Sequence, residues 1–380
     1  MQEPAAKHIK SLGLKLILSD GDPNAICRKY ADEFLPLDTF DVDGHIEASK
    51  HLKKNYDIIG IATIAADCHY TVNYLAKSLG LHYLDPQISK ICRNKIMTRE
   101  LLAQSDLIQP IFKNFSNFEA AYQWTSQQKQ ALVIKATDNS GSRGFSLIES
   151  SQGLTRNQFE DALKCGTTGS VLIEERLFPN TNCISEASVE TLWQNGEMRV
   201  INWVDRIFGR DLKFLGKVSY QKVPFEGVEI GHINPALRKK IEKEEVEADI
   251  KKAGVAIGMA KQSGAHILKA DIFFSTKGPV ILELTPRCSG GWDSSGTSRT
   301  RGARIAEGVV HLAQGKYVSD QDWKSFFTFN DEINSVALAR IPKDAKNCIG
   351  REFKIFSGTK SIAELVTEGI ETFELENSYV

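Results

Sequence analysis

The chain has 380 residues, which is more than one ordinary core accommodates, so two or three lobes are expected. Apolar residues make up 42% and charged residues 25%, the proportions of a globular protein, and the net charge of -1 provides no bulk field for nucleic acid or anionic membrane. No apolar run approaches the roughly 20 residues that span a bilayer, and Met1–Lys10 lacks a signal-type apolar stretch. Cysteines at 27, 68, 92, 165, 183, 288 and 348 form no C-x-x-C pair, which argues against a disulfide framework or zinc site and for a reducing, cytoplasmic setting.

The first ninety residues alternate between helical and strand patterns. A helix is expected over Ala5–Leu12, a strand over Leu14–Leu18, a helix over Ala25–Tyr30 and a strand near Phe34–Leu37. A helix over Gly44–Lys54, a buried strand over Ile58–Ile61 and a helix over His69–Leu79 follow. Such alternation predicts a parallel sheet with crossover helices. The alternation opens on a helix, so an apolar strand is expected upstream of Met1, or another segment must cover the sheet edge.

From about residue 94 the texture changes. A helix over Asn94–Ser105 leads to a strand over Leu132–Lys135, a Ser/Gly-rich turn at Ser140–Gly144, and strands over Phe145–Ile148 and Val171–Glu174. Asn234-Pro235 reads as the start of a helix that runs to Ser263 and stops at Gly264. Val336–Ile341 is a strand in the last sixty residues, which read as a small appended lobe.

The most informative segment is the hairpin His266–Arg287. With a turn centred near Lys277, Asp271 lies opposite Glu283 and Lys269 opposite Thr285, all on one face. Opposed carboxylates sit roughly 5 Å apart at Cβ and repel. A divalent cation between them, of the kind that hard oxygen ligands suit, removes the repulsion. Neutralisation by Lys269 on a solvated face is the other reading. Lys135 precedes the turn Ser140–Gly144, where main-chain N–H groups, serine hydroxyls and Arg143 could meet phosphate. An ordinary polar hairpin has the same composition, and no G-K-[ST] of a Walker loop is present. The strand running into Glu174, Glu175, Arg176 and Leu177 can hold a purine edge or be a plain charged strand exit. Pro286–Asp293 places Arg287 beside Gly290, Gly291 and Trp292. The arginines at 299, 301 and 304 are close in sequence to that segment.

Taken in order, Lys95, Lys135, the Ser/Gly hairpin, Glu174–Leu177, Asp271 and Glu283–Arg287 resemble the ATP-grasp superfamily, over roughly residues 1–315. The nearest likeness is to single-copy relatives of the carbamoyl phosphate synthase large subunit, including amino-acid ligases. The resemblance implies an α/β protein with an N-terminal parallel lobe (1–93), an ATP-grasp domain (94–316, with a lid subdomain at about 112–192) and a small C-terminal lobe (317–380). It implies ATP and Mg²⁺ or Mn²⁺ as cofactors, small-molecule carboxylate and amine substrates, no nucleic-acid or membrane partner, and compatibility with a homo-oligomer. Lys95, Lys135, Ser142 and Gly144 would meet the phosphates, Glu174, Glu175 and Leu177 the adenine, Glu186 the ribose, and Lys269 the nucleotide. Asp271, Glu283 and Thr285 would hold the metal. Arg287 would act on the acyl phosphate and His232 on the acceptor, with Gly290, Gly291 and Trp292 toward the substrate. Thr285 stands where the family usually has Asn. The implied reaction is amide formation with release of ADP and phosphate. A carboxylating or thiol-ligating relative and a non-catalytic ATP-binding subunit are the alternatives.

Overall fold

The computed structural model of the chain describes residues 2–139, 143–149, 153–213, 229–290, 293–340 and 352–377. The N-terminal part is built much as its alternation predicts. Helix Glu3–Ser11 leads to β1 (Ile17–Ser19), and β2 (Glu33–Leu35) pairs with β1 in parallel, Ile17 opposite Glu33. Helix Val42–Leu52 is capped by Asp41, whose side chain accepts from the N–H of Gly44, and helix His69–Leu79 closes on Gly80. Two expectations are corrected here. Ile26–Tyr30 is a 3₁₀ turn, too short after the Asp22-Pro23 turn to become an α-helix. Ile58–Ile61 carries no regular secondary structure, and Ile59 is 43% exposed, so this run is not covered on both faces as a buried parallel strand must be.

Asn94 caps helix Lys95–Ala103 by accepting from the N–H groups of Ile96 and Met97. Next come β3 (Phe112–Phe115), β4 (Leu132–Ala136), β5 (Ser146–Ile148) and β6 (Val171–Glu175), which form an antiparallel sheet in the order β3-β6-β4-β5. Helices Phe118–Ser126 and Arg156–Cys165 cover it, burying Ala121, Phe159 and Ala162 against Ile134, Val171 and Ile173. The next strand, β7 (Glu186–Gln194), belongs to the other sheet, so the boundary between sheets falls ahead of the expected lid end near 192.

That larger sheet adds β8 (Glu197–Phe208), β9 (Glu229–Asn234), β10 (Ala265–Ser275), β11 (Gly278–Thr285), β12 (Asn334–Arg340) and β13 (Glu352–Gly358), in the order β11-β10-β7-β8-β9-β12-β13. Strand periodicity divides its residues between two faces. Ala187, Val189, Leu268, Ala270 and Ile272 form one face and pack on Val246, Ile250, Ala253 and Ile257 of helix Lys240–Ile257. Each large aliphatic side chain among them, fully buried, contributes about 1.5–3 kcal/mol. The opposite face is apolar around Leu192, Ala265 and Ile267, which pack with Ile64, Cys288 and Ile305, and polar from Glu186 to Glu190, where it carries the candidate site. The C-terminal strands β12 and β13 extend this sheet and are covered by helix Ile362–Asn377.

The helix expected from Asn234 begins later and ends earlier. Asn234 is the last residue of β9, the Asn234-Pro235 bond is cis, and the helix starts at Lys240. It stops at Gly258, whose φ of +99° is open to glycine at little cost, six residues ahead of Gly264.

Candidate active site

The hairpin β10–β11 has the expected pairing: Asp271 faces Glu283 and Lys269 faces Thr285. The turn, however, holds two residues between Ser275 and Gly278, which alone would shift the register by one. A bulge between Asp271 and Ile272, with Leu282 as the extra residue, restores it.

Cross-strand pairing assembles the rest of the face. Arg206 on β8 lies opposite Glu186 on β7 and His232 on β9. Its guanidinium meets three carboxylates, with Nε 2.8 Å from Glu229 Oε1, Nη1 3.3 Å from Glu186 Oε2 and Nη1 3.4 Å from Asp271 Oδ2. Arg210 adds a contact of 2.8 Å to Glu186 Oε1, and Lys269 Nζ donates to Asp271 Oδ2 at 2.7 Å. Burial works against every one of these charges, and the partners decide the outcome. Against burial, Lys269 and Arg206 hold the Asp271 carboxyl below its usual range, and Arg206 and His232 hold Glu229 well below. For Glu186 burial prevails and raises the carboxyl despite Arg206 and Arg210. His232 is also buried, which opposes its charge, yet the Glu229 carboxylate 2.7 Å from Nε2 leaves its pKa raised.

Asp271 Oδ1 is buried and has no hydrogen-bond partner, although the carboxylate is charged. A cation is the natural complement to such an oxygen. Glu283 lies directly across from it, and the Thr285 hydroxyl donates to Glu283 Oε1 at 3.3 Å. Among the described residues no group of three or more His, Cys, Asp or Glu side chains is arranged to hold a metal. The donor set therefore fits a hard ion shared between two carboxylates and a ligand's phosphates, and not an all-protein cage.

The four-stranded sheet supplies the other end. Lys95 opens its helix where its N–H meets Thr137 O just beyond β4, and its Nζ donates to Asn139 O at 2.5 Å. Lys135 on β4 is ion-paired with Glu174 on β6, and Arg99 Nε lies 3.0 Å from Glu174 Oε2. Glu174 is thus engaged on both oxygens within the protein. Arg99 also donates to Ile281 O at 2.6 Å, tying the two sheets together. Glu175 Oε1 accepts from Lys277 Nζ at 2.5 Å, which makes a second tie at the hairpin turn, and half-buried Leu177 follows at the strand exit. Gly144, at φ +71°, packs so closely on helix Arg156–Cys165 that a Cβ would fall 2.8 Å from Cys165 Cβ. Ser142, Gly291 and Trp292 lie outside the described residues.

Arg287 follows β11 and is buried. Its Nε and Nη2 donate to Asp67 Oδ1 at 2.9 and 2.5 Å, and its Nη1 to Cys288 O at 2.7 Å. Gly290 sits close by, where an added Cβ would come no nearer than 3.9 Å to Arg287 Nη1. The three later arginines serve the scaffold. Arg299 and Arg304 pair with Glu307, and Arg301 donates to Asn234 Oδ1 and Ile333 O. Sequence reasoning missed Arg206, Glu229, Arg99 and Asp67. The period-two pattern Asn202–Val204–Arg206 was a usable signal for the first, whereas Asp67 and Arg99 become meaningful only through contacts 220 and 75 residues away.

No protein-family model matches the chain. An uncharacterized protein of Sinorhizobium fredii, y4rH, is 25% identical over 151 residues, which is 39% of this chain and 32% of that protein. The chain thus matches about a third of this curated relative's length. Among solved structures, an L-amino acid ligase from Bacillus licheniformis superimposes with a TM-score of 0.66 at 18% identity, over 89% of this chain and 77% of that one. Phosphoribosylglycinamide synthetase from Anaerococcus prevotii gives 0.63 at 16% identity, over 90% and 78%. N5-carboxyaminoimidazole synthetase from Staphylococcus aureus, solved with ADP, gives 0.69 at 11% identity, over 98% and 94%. At these identities the likeness is one of architecture, and it agrees with the two sheets described above: the chain has the ATP-grasp fold.

Proposed function

We propose that this protein is an ATP-dependent ligase that joins a carboxylate to an amine, releasing ADP and phosphate. The observation that carries the reading is the bare, charged Asp271 Oδ1 directly across the hairpin from Glu283. Mg²⁺ bound there with ATP would neutralise phosphate charge during transfer. Asp271 and Glu283 would hold it, with the Thr285 hydroxyl completing the set. Lys95 and Lys135 lie at one end of the four-stranded sheet and would face the phosphates, together with Ser142 and Gly144. Main chain at Glu175 and Leu177 would receive the adenine and Glu186 the ribose, with Lys269 fixing the orientation of Asp271.

In the proposed reaction a substrate carboxylate oxygen attacks the γ-phosphorus and ADP departs. The amine then displaces phosphate from the acyl phosphate. Arg287, preset by Asp67, would bind the acyl phosphate, and Gly290, Gly291 and Trp292 would border the substrate. His232, whose charged form the Glu229 carboxylate favours, would serve the acceptor and take the amine's proton when neutral. Positioning and electrostatics suffice for this chemistry, so no protein nucleophile is needed.

The test is a pairwise screen of carboxylates and amines for ADP release, with a bicarbonate arm. That arm is included because a carboxyaminoimidazole synthetase shares the fold. Equal amounts of ADP, phosphate and amide are expected, and hydroxylamine should trap a hydroxamate when the amine is left out. AMP as the product with the true substrates would reject the mechanism. Turnover with bicarbonate alone would move the assignment to a carboxylating enzyme.

A further inference from the structure

The polar face of the large sheet carries a second group of buried polar residues that the proposed reaction does not use. Glu190 on β7 lies opposite Asn202 on β8, and Asp293 opens the short turn Asp293–Thr297 that follows the Arg287–Gly290 segment. Glu190 and Asp293 are both 0% exposed. A single amide nitrogen, Asn202 Nδ2, donates to Glu190 Oε2 at 3.0 Å and to Asp293 Oδ1 at 2.9 Å, which fixes the two carboxyls as neighbours.

Their four oxygens are not equivalent. Glu190 Oε1 accepts the main-chain N–H of Ser289 at 2.5 Å and the Ser294 hydroxyl at 2.8 Å. Glu190 Oε2 has the Asn202 amide, and Asp293 Oδ1 has that amide together with the Ser298 hydroxyl at 3.1 Å. Asp293 Oδ2 is buried and has no partner. All the donors that reach the pair are neutral. The cations on the surrounding elements are engaged elsewhere: Lys269 on Asp271, Arg206 on Glu186 and Glu229, Arg287 on Asp67, Arg301 on Asn234 and His232 on Glu229. Lys354, on the adjoining β13, has contacts of its own.

Two desolvated anions side by side, hydrogen-bonded only by neutral groups, repel strongly, and one proton between them relieves the repulsion. We propose that Glu190 and Asp293 carry a single negative charge between them, with Asp293 held as the neutral acid protonated on Oδ2, and that this pair positions Ser289 and the turn Asp293–Thr297 beside Arg287. Burial pushes both carboxyls up; the neighbouring carboxylate adds to this at Glu190, and at Asp293 burial prevails over the opposing charge of His232 and the neutral donors. The hydrogen bonds decide which of the two is neutral. A proton on Glu190 would have to displace a donor from Asn202, Ser289 or Ser294, whereas Asp293 Oδ2 has none to displace. Any effect of the pair on catalysis rests on the ligase reading, but the location of the proton does not.

The test therefore needs no substrate. Isotope-edited infrared spectroscopy of the full chain, labelled with ¹³C-carboxyl aspartate, should show a protonated-carboxyl stretch near neutral pH. Asp293→Asn should abolish the band, and Glu190→Gln should abolish it too, because Asp293 then ionises without a neighbouring anion. Asp293→Asn puts an N–H donor where the proton sat, so its melting temperature should stay within about 2 °C of the wild type. Glu190→Gln either sets its amide against that of Asn202 or gives up the Ser289 N–H, and should lose about 5 °C or more. Absence of the band from the wild type would overturn the shared proton. Equal tolerance of the two substitutions would overturn its assignment to Asp293. If one variant does not fold, loss or persistence of the band in the other decides the matter.

Discussion

The two sheets that meet at the site treat their buried carboxylates differently. On the four-stranded sheet Glu174 is satisfied on both oxygens, by Arg99 and Lys135, and these partners hold its pKa down at about 2 against the effect of burial. On the seven-stranded sheet Asp271 is equally charged, yet one oxygen is taken by Lys269 and the other has no partner. A closed triad organises its surroundings and leaves no bare carboxylate oxygen for a cation to complete. A charged oxygen left bare in a buried position is a cost that a bound cation removes. The contrast separates residues that build the site from those that would do chemistry in it, and substitutions on the two sheets should diverge accordingly.

The largest effect on turnover is expected at the open end. Glu283→Gln removes a charge facing Asp271 while keeping the shape, so ADP release should fall roughly 10³-fold, in line with the several kcal/mol that metal-borne charge stabilisation supplies. The melting curve should hardly move. Undiminished turnover in this variant would remove the hairpin from the chemistry. At the closed end the pattern should invert. Glu174→Ala leaves buried Arg99 and half-buried Lys135 without their counter-charge, and chemical denaturation should record a loss of about 3–5 kcal/mol. A stable Glu174→Ala protein would show that the triad is not the scaffold described here.

The same contrast explains what could be read from the sequence. The hairpin was legible because charged residues at 269, 271 and 283 interrupt apolar strands at period two. Its register was reached with the wrong turn, and the Leu282 bulge happens to cancel the error. Lys135 and the strand running to Glu174 were legible as strand ends, but the triad was not, because Arg99 comes from a helix 75 residues away. Arg206 and Glu229 were hidden for the same reason. Their importance is set by cross-strand neighbours that a linear reading cannot pair before the strand order β7-β8-β9 is known. The N-terminal strand pattern misled at Ile58–Ile61, where apolar composition does not reveal that Ile59 stays partly exposed. At Asn234-Pro235 the cap-like dipeptide closes a strand, since cap signals also occur at strand ends.

A smaller and more selective effect is expected at His232. His232→Ala should spare hydroxylamine trapping and lower amide formation about 10²-fold, the usual contribution of a proton-transfer group. Equal loss in both assays would place the histidine in nucleotide handling instead. Its raised pKa also predicts a pH signature. The Glu229 contact favours the charged imidazole, so its stabilisation is complete below the ordinary value of 6.5 and fades as pH rises through the raised value. The stability gap between wild type and His232→Gln, measured by denaturant midpoint, should therefore narrow from acid to alkaline pH. A gap that is constant with pH would mean the imidazole contributes only packing.

The smallest effect is expected at Thr285, and it bears on the comparison most directly. Thr285 lies opposite Lys269, two residues from Glu283 and on the same face, and its hydroxyl donates to Glu283 Oε1 at 3.3 Å. In that orientation the hydroxyl oxygen still has lone pairs free for a metal, so a neutral oxygen ligand is already present. Thr285→Asn exchanges it for a carbonyl oxygen on a longer arm and keeps an N–H donor for Glu283. Charge at the site is unchanged, and hard cations accept hydroxyl and amide oxygen alike. Turnover should stay within about threefold of wild type or rise, well under the tenfold that about 1.36 kcal/mol represents. The half-saturating Mg²⁺ concentration is the finer readout, and it should fall if the amide oxygen reaches the metal more closely than the hydroxyl. A severe loss of turnover with an unchanged fold would mean that position 285 does not face the metal. In that case the open oxygen of Asp271 would need a different complement.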